Sequence, residues 1–159
     1  MFKRPIKFGF ILLLSSILSA CAGLGHLSYK QAHMLKKEGF ILTDEGWNLA
    51  LPERLLFNFN DYTIAQQQTQ DLTLLSNQLY KYKLNKIKVV GHTDDIGGIQ
   101  YNQELSLKRA NSVAEIFLTH GFNTSNVQII GKGSSQPMVE NDNDENRAKN
   151  RRVNIIIIP

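Results

Sequence analysis

From residue 55 to the C-terminal end, short apolar runs alternate with stretches in which apolar residues recur every three or four positions. Leu55-Leu56-Phe57-Asn58-Phe59 predicts a strand. Thr63 and Gln66 then stand at capping-box spacing ahead of Leu72, Leu75, Leu79 and Tyr82, which share one face of a predicted helix. Residues 86–90 predict a second strand and residues 91–99 a polar, glycine-containing loop. Ala110, Val113, Ala114, Phe117 and Leu118 form the face of a second helix that stops at Gly121. A third strand over 127–130, a loop over 131–143, a short helix over 144–150 and a last strand over 153–158 complete the pattern. The four consecutive isoleucines of that last strand predict an interior position, covered on at least one face. Strands and helices alternating in this way imply an α/β sandwich of roughly 110 residues, with helices packed on a sheet. A chain of 159 residues has room for one such domain.

The first 20 residues do not belong to that pattern. Lys3, Arg4 and Lys7 precede an apolar run from Phe8 to Leu18, shorter than the ~20 residues a membrane-crossing helix needs, and small residues follow it. This is the form of an export signal. The single cysteine of the chain, Cys21, stands where the signal ends, so no internal disulfide is available to it. Leu18-Ser19-Ala20-Cys21 resembles the bacterial lipobox, which implies cleavage before Cys21 and acylation of its sulfur and nitrogen. Ala22 follows, rather than the aspartate associated with inner-membrane retention, and points to the outer membrane. Removal of the signal leaves 15 cations against 14 acidic residues, a charge of +1, which offers no basic stripe for nucleic acid.

Between anchor and sandwich, Ser28 and Gln31 have capping-box spacing, and a helix over 29–38 is expected to stop at Gly39. Phe40 and Leu42, then Trp47, Leu49 and Leu51, alternate about a turn at 43–46 and predict two short strands, the second ended by Pro52. The division expected is a signal over 1–20, a lipid anchor and partly helical linker over 21–45, and the sandwich over 46–159.

Side chains able to do chemistry cluster where loops meet strand ends. Ser106, His92 and Asp94 could form a nucleophile set, but Ser106 lies inside a predicted helix with no sharp turn to present it. His92, Asp94 and His120 have no metal-ligand spacing, and His120 is explained by its place at a helix C-terminus. Asp94 and Asp95 lack the further oxygens of a calcium loop. No catalysis, metal or cofactor is expected. Asp94 and Arg109 remain as a separated pair of opposite charges.

Asn102-Gln103-Glu104-Leu105-Ser106-Leu107-Lys108-Arg109-Ala110-Asn111-Ser112-Val113 resembles the peptidoglycan-association motif Asn-x-x-Leu-Ser-x-x-Arg-Ala-x-x-Val of OmpA-like domains. Gly91-His92-Thr93-Asp94 resembles the Gly-x-Thr-Asp before it, Phe57-Asn58-Phe59-Asn60 the first strand, and Asn150-Arg151-Arg152-Val153 the closing motif. The resemblance implies a βαβαβ sandwich on a mixed sheet, without enzymatic activity, that binds the diaminopimelate of peptidoglycan stem peptides. Asp94 would then meet the ammonium of that residue and Arg109 its carboxylate. Asn60, Asn102 and Arg152 match other ligand-contacting positions, and the backbone from Asp95 through Gly97 and Gly98 would add N–H donors.

Within the family, Gly39-Phe40, Gly46-Trp47-Asn48-Leu49 and Asn60-Asp61-Tyr62 resemble small regulatory lipoproteins. Their linker sequesters a YfiR-like periplasmic repressor and so releases a YfiN-like diguanylate cyclase. On that reading Leu35, Phe40 and Trp47 help hold a partner or a second protomer. The bland alternative packs them permanently on their own domain. The competing role is a structural tether of outer membrane to cell wall, of the Tol–Pal type.

Overall fold

The computed structural model describes residues 27–57 and 61–158. Cys21 with its signal, and Asn60, lie outside the described residues. The elements in chain order are α1 (Tyr29–Lys37), β1 (Ile41–Thr43), β2 (Gly46–Pro52), α2 (Glu53–Leu56), α3 (Gln66–Lys81), β3 (Ile87–His92), α4 (Ile99–Thr119), β4 (Val127–Gly131), α5 (Asp144–Asn150) and β5 (Arg152–Ile157). One mixed sheet of order β1-β2-β5-β3-β4 results, in which only β3 and β4 run parallel.

The isoleucine strand β5 is central, as an apolar run predicts, because only an interior strand covers both faces of its residues. Successive strand residues face opposite ways. Val153, Ile155 and Ile157 therefore join Trp47, Ile87 and Val89 in the core under the helices, while Arg152, Asn154 and Ile156 line the other face. Leu72, Leu75 and Leu79 of α3 and Ala110, Val113, Ala114 and Phe117 of α4 complete that core.

Gly91 sets how closely α4 approaches the sheet. A Cβ there would lie 2.0 Å from the Ser106 carbonyl oxygen, so only glycine allows the contact.

Three expectations are corrected. The strand expected over Leu55 to Phe59 is not formed by its described residues, Leu55 to Phe57. Pro52 ends β2, and Glu53 to Leu56 coil into one helical turn whose first N–H, that of Glu53, donates to the Arg151 carbonyl at 3.0 Å. Leu56 and Phe57 are both buried, and Phe57 makes only an isolated bridge to Ile64. Thr63 does not cap α3 either. The Asp61 carboxylate accepts the N–H groups of Tyr62 and Thr63 at 2.7 and 3.0 Å, which holds a turn there and defers the helix to Gln66.

The third correction concerns the linker. Ser28 and Gln31 do close a capping box, and Gln31 Nε2 donates to the Tyr82 carbonyl at 2.9 Å, fixing α1 to the end of α3. Leu35, Phe40 and Trp47 are 0, 2 and 1% exposed, all within the core of their own chain. They are unavailable to a partner. A boundary at 45/46 also falls inside the β1–β2 hairpin, whose register pairs Thr43 with Gly46.

Candidate functional site

The C-terminal end of β3 delivers Asp94 to a cleft of about 700 Å³. Asn102 and Arg109, seven residues apart on α4, reach the same cleft because seven residues make two helical turns. The Asn102 amide anchors the loop between strand and helix by donating to the carbonyls of Ile96 at 3.1 Å and Asp94 at 3.4 Å. Gly97, at φ +99°, turns that loop and lines the cleft, and Gly98 caps the uncovered N-terminus of α4. Asp95 and Gly98 are exposed beside the cleft rather than part of its lining.

Asp94 and Arg109 do not pair with each other. The Arg109 guanidinium bonds Glu53 Oε1 through Nη2, donates from Nε to the Asp61 carbonyl at 3.1 Å and lies 5.4 Å from the centre of the Phe57 ring. Glu53 holds a second cation, with Arg151 Nε 2.7 Å from its Oε2. Arg151 Nη1 reaches Asp94 Oδ2 at 2.6 Å, while Asp94 Oδ1 accepts the Ile96 N–H at 3.1 Å. A chain of alternating charge, Arg109, Glu53, Arg151, Asp94, thus crosses the cleft. Arg109 is 2% exposed, so without Glu53 its charge would be buried and uncompensated.

Glu53 and Arg151 are the residues that sequence reasoning missed. Glu53 carried no motif; only the fold of β2 into α2 brings it across. Arg151 lies in the Asn-Arg-Arg-Val run, where the family resemblance points to the adjacent Arg152. Arg152 lies on the opposite face of the sheet, where Nη1 donates to the Asn150 carbonyl at 3.1 Å and Nη2 to the Gln136 carbonyl at 3.3 Å. Strand alternation decides between the two arginines, and a run of four isoleucines hides that alternation in the sequence.

The remaining candidates separate. Ser106 Oγ donates to the Gln103 carbonyl at 2.9 Å and accepts the Gly133 N–H at 2.9 Å, a structural tie between α4 and the loop after β4. His92 lines the cavity on the other face of the sheet from Asp94, so the nucleophile set does not assemble. His120 caps the C-terminus of α4, its Nδ1 2.6 Å from the Ile116 carbonyl oxygen.

Residues 56–151 match the model of the OmpA family. The outer-membrane lipoprotein YfiB of Pseudomonas aeruginosa is 37% identical over 82% of this chain and 78% of its own length. A putative lipoprotein YfiB of Escherichia coli is 34% identical over 90% of this chain and 91% of its own length. Among solved structures, a periplasmic domain of Helicobacter pylori MotB superposes with a TM-score of 0.64 at 30% identity, covering 73% of this chain and 84% of that domain. No helix among the described residues is long and apolar enough to cross a membrane. The chain belongs to the OmpA family, as an outer-membrane lipoprotein on the periplasmic face of that membrane.

Proposed function

We propose that the cleft binds peptidoglycan through diaminopimelate of the stem peptide, without catalysis, while an acylated Cys21 holds the chain at the outer membrane. The free end of diaminopimelate presents an ammonium and a carboxylate on one carbon. The observation that carries the reading is the meeting of Asp94 with Arg109 and Arg151 in one cleft. A guanidinium fork suits the carboxylate, and the Asp94 carboxylate accepts from the ammonium. The side chains of the cleft contain the same chemistry in miniature. Glu53 supplies the carboxylate that the arginines hold, and Arg151 the cation that Asp94 holds. Binding therefore exchanges these internal partners for the ligand's own groups. A lysine-type wall lacks the second carboxylate and binds less well.

Pull-down of purified sacculi tests the site. Asp94→Asn and Arg109→Ala should each lose ~2–5 kcal/mol of binding, as expected when one partner of a desolvated charge pair is removed. Retention of both variants at wild-type levels would sink the assignment, provided circular dichroism shows them folded.

The likeness to YfiB supports a second element, capture of a YfiR-like periplasmic repressor and derepression of a YfiN-like cyclase. Since Leu35, Phe40 and Trp47 are buried, the contact surface is the outer side of the same segment, where Tyr29, Ile41 and Leu42 are 75, 66 and 43% exposed. A periplasmic crosslinking pull-down should recover a small repressor with the native chain and lose it in a Tyr29→Ser, Ile41→Ser, Leu42→Ser variant. Recovery of Tol proteins with both baits would support the structural tether instead.

A further inference from the structure

The sheet face turned away from the helices holds a second cavity, of about 400 Å³, that the peptidoglycan reading does not use. Strand register arranges its floor in three rows: Asn48, Ile156 and Lys88; Ala50, Asn154 and Val90; Pro52, Arg152 and His92. Rows two residues apart are spaced ~7 Å, so the floor runs ~13 Å from Arg152 to Asn48.

Its polar atoms are out of keeping with a passive surface. Arg152, His92 and Asn154 are 8, 4 and 6% exposed. Arg152 Nε, His92 Nδ1, Asn154 Oδ1 and Asn48 Oδ1 are buried with no hydrogen-bond partner among the described residues. Buried polar atoms are almost always paired, and four orphans lining one cavity mark groups kept for something that enters it. Arg152 is moreover a buried cation without an acid. All 14 acidic residues are described, and none forms an ion pair with it. Lys132 adds a cation to the cavity wall, while Asp44 and Glu45 stand at the Asn48 end, where Glu45 holds Lys88 at 3.3 Å.

We propose that this cavity is a binding site for a small hydroxylated monocarboxylate of the sugar-acid class, its carboxylate at Arg152 and His92 and its hydroxyls along Asn154 and Asn48. Each Arg152 Nη atom gives one N–H to a carbonyl, so the Nε–H and the second N–H of each Nη are left, an edge of the guanidinium that suits the two oxygens of a carboxylate. The orphaned amide oxygens of Asn48 and Asn154 call for donors, which the hydroxyls of a sugar acid supply. Val90 and Ile156 between them offer an apolar floor to the C–H face of a sugar ring. The volume lies in the ~300–1,000 Å³ range of small-molecule sites.

Two-dimensional NMR of the full acylated chain in detergent micelles tests the site, with sodium D-glucuronate and sodium N-acetylmuramate as probes for a free and a wall-derived sugar acid. Either probe should move the side-chain amide signals of Asn48 and Asn154 and the His92 ring nitrogen saturably, and the tighter one identifies the source. D-Glucose, lacking the charge, and acetate, lacking the hydroxyls, should each bind at least about tenfold more weakly, one buried hydrogen bond being worth about that factor. Asn154→Leu should weaken the probe by about tenfold while leaving sacculus binding unchanged. Signals that stay still, that respond equally to acetate or to inorganic phosphate, or that move only at Asp94 and Arg109 overturn the proposal.

Discussion

Arg151 and Arg152 are neighbours in sequence and face opposite sides of one sheet. Arg151 is about one-third exposed and bridges two carboxylates, Glu53 at 2.7 Å and Asp94 at 2.6 Å. Arg152 is more deeply buried, holds only backbone carbonyls and has a bare Nε. Burial therefore does not rank the two electrostatically; partners do. The cleft side is a closed circuit of charge, whereas the sheet side is an unclosed one. His92 registers the difference. Burial, then the charges of Arg152 and Lys132, push its pKa down to about 3.

The largest expected effect breaks both sides together. Gly91→Ala places a methyl group 2.0 Å from the Ser106 carbonyl, backbone against backbone. Stability should fall by about 3 kcal/mol or more, at the upper end of overpacking costs, read as a lowered urea midpoint. If the midpoint is unchanged, the close approach of α4 to β3 is not what holds the two faces in place.

Acid should act next, through the sheet side. A His92 whose folded pKa lies below its unfolded value of 6.5 gives stability that is full above about pH 6.5 and is lost as pH falls toward 3, because the unfolded chain then binds the extra proton. Between pH 7 and pH 5 this amounts to about 2 kcal/mol, at 1.36 kcal/mol per pKa unit. Urea midpoints at the two pH values, compared between the native chain and His92→Gln, should show that difference shrinking in the variant.

The arginines themselves then sharpen the contrast. Arg151→Met leaves two carboxylates without their shared cation and should cost about 1–2 kcal/mol, less than a fully buried pair because solvent reaches Arg151. Arg152→Met removes an uncompensated buried charge but strands two carbonyls, opposing effects that should leave thermal stability within about 1 kcal/mol of native. A larger loss at Arg152 than at Arg151 would reverse the comparison.

Much of the fold was legible because it follows from short-range pattern. The helical faces of α3 and α4, the central place of β5 and the capping box of α1 are all periodicity or local hydrogen bonding. At Leu55 to Phe57 the same kind of pattern misleads, because consecutive apolar residues do not distinguish a buried strand from a buried helical turn. In the linker, the apolar residues of Leu35, Phe40 and Trp47 were legible as a face needing cover, but not what would cover it.

The sequence by itself determined the alternating α/β architecture and the placing of Asp94 and Arg109 on one cleft, since motif spacing and helix period are local properties. Only the tertiary structure decided that the N-terminal helix and hairpin belong to the core, that Glu53 closes the gap between Arg109 and Arg151, and that Arg152 looks away from them. Those outcomes depend on which face of a strand each side chain takes and on contacts such as Arg109 to Glu53, 56 residues apart in the chain. No local pattern encodes them, because a uniformly apolar strand reads the same in either register.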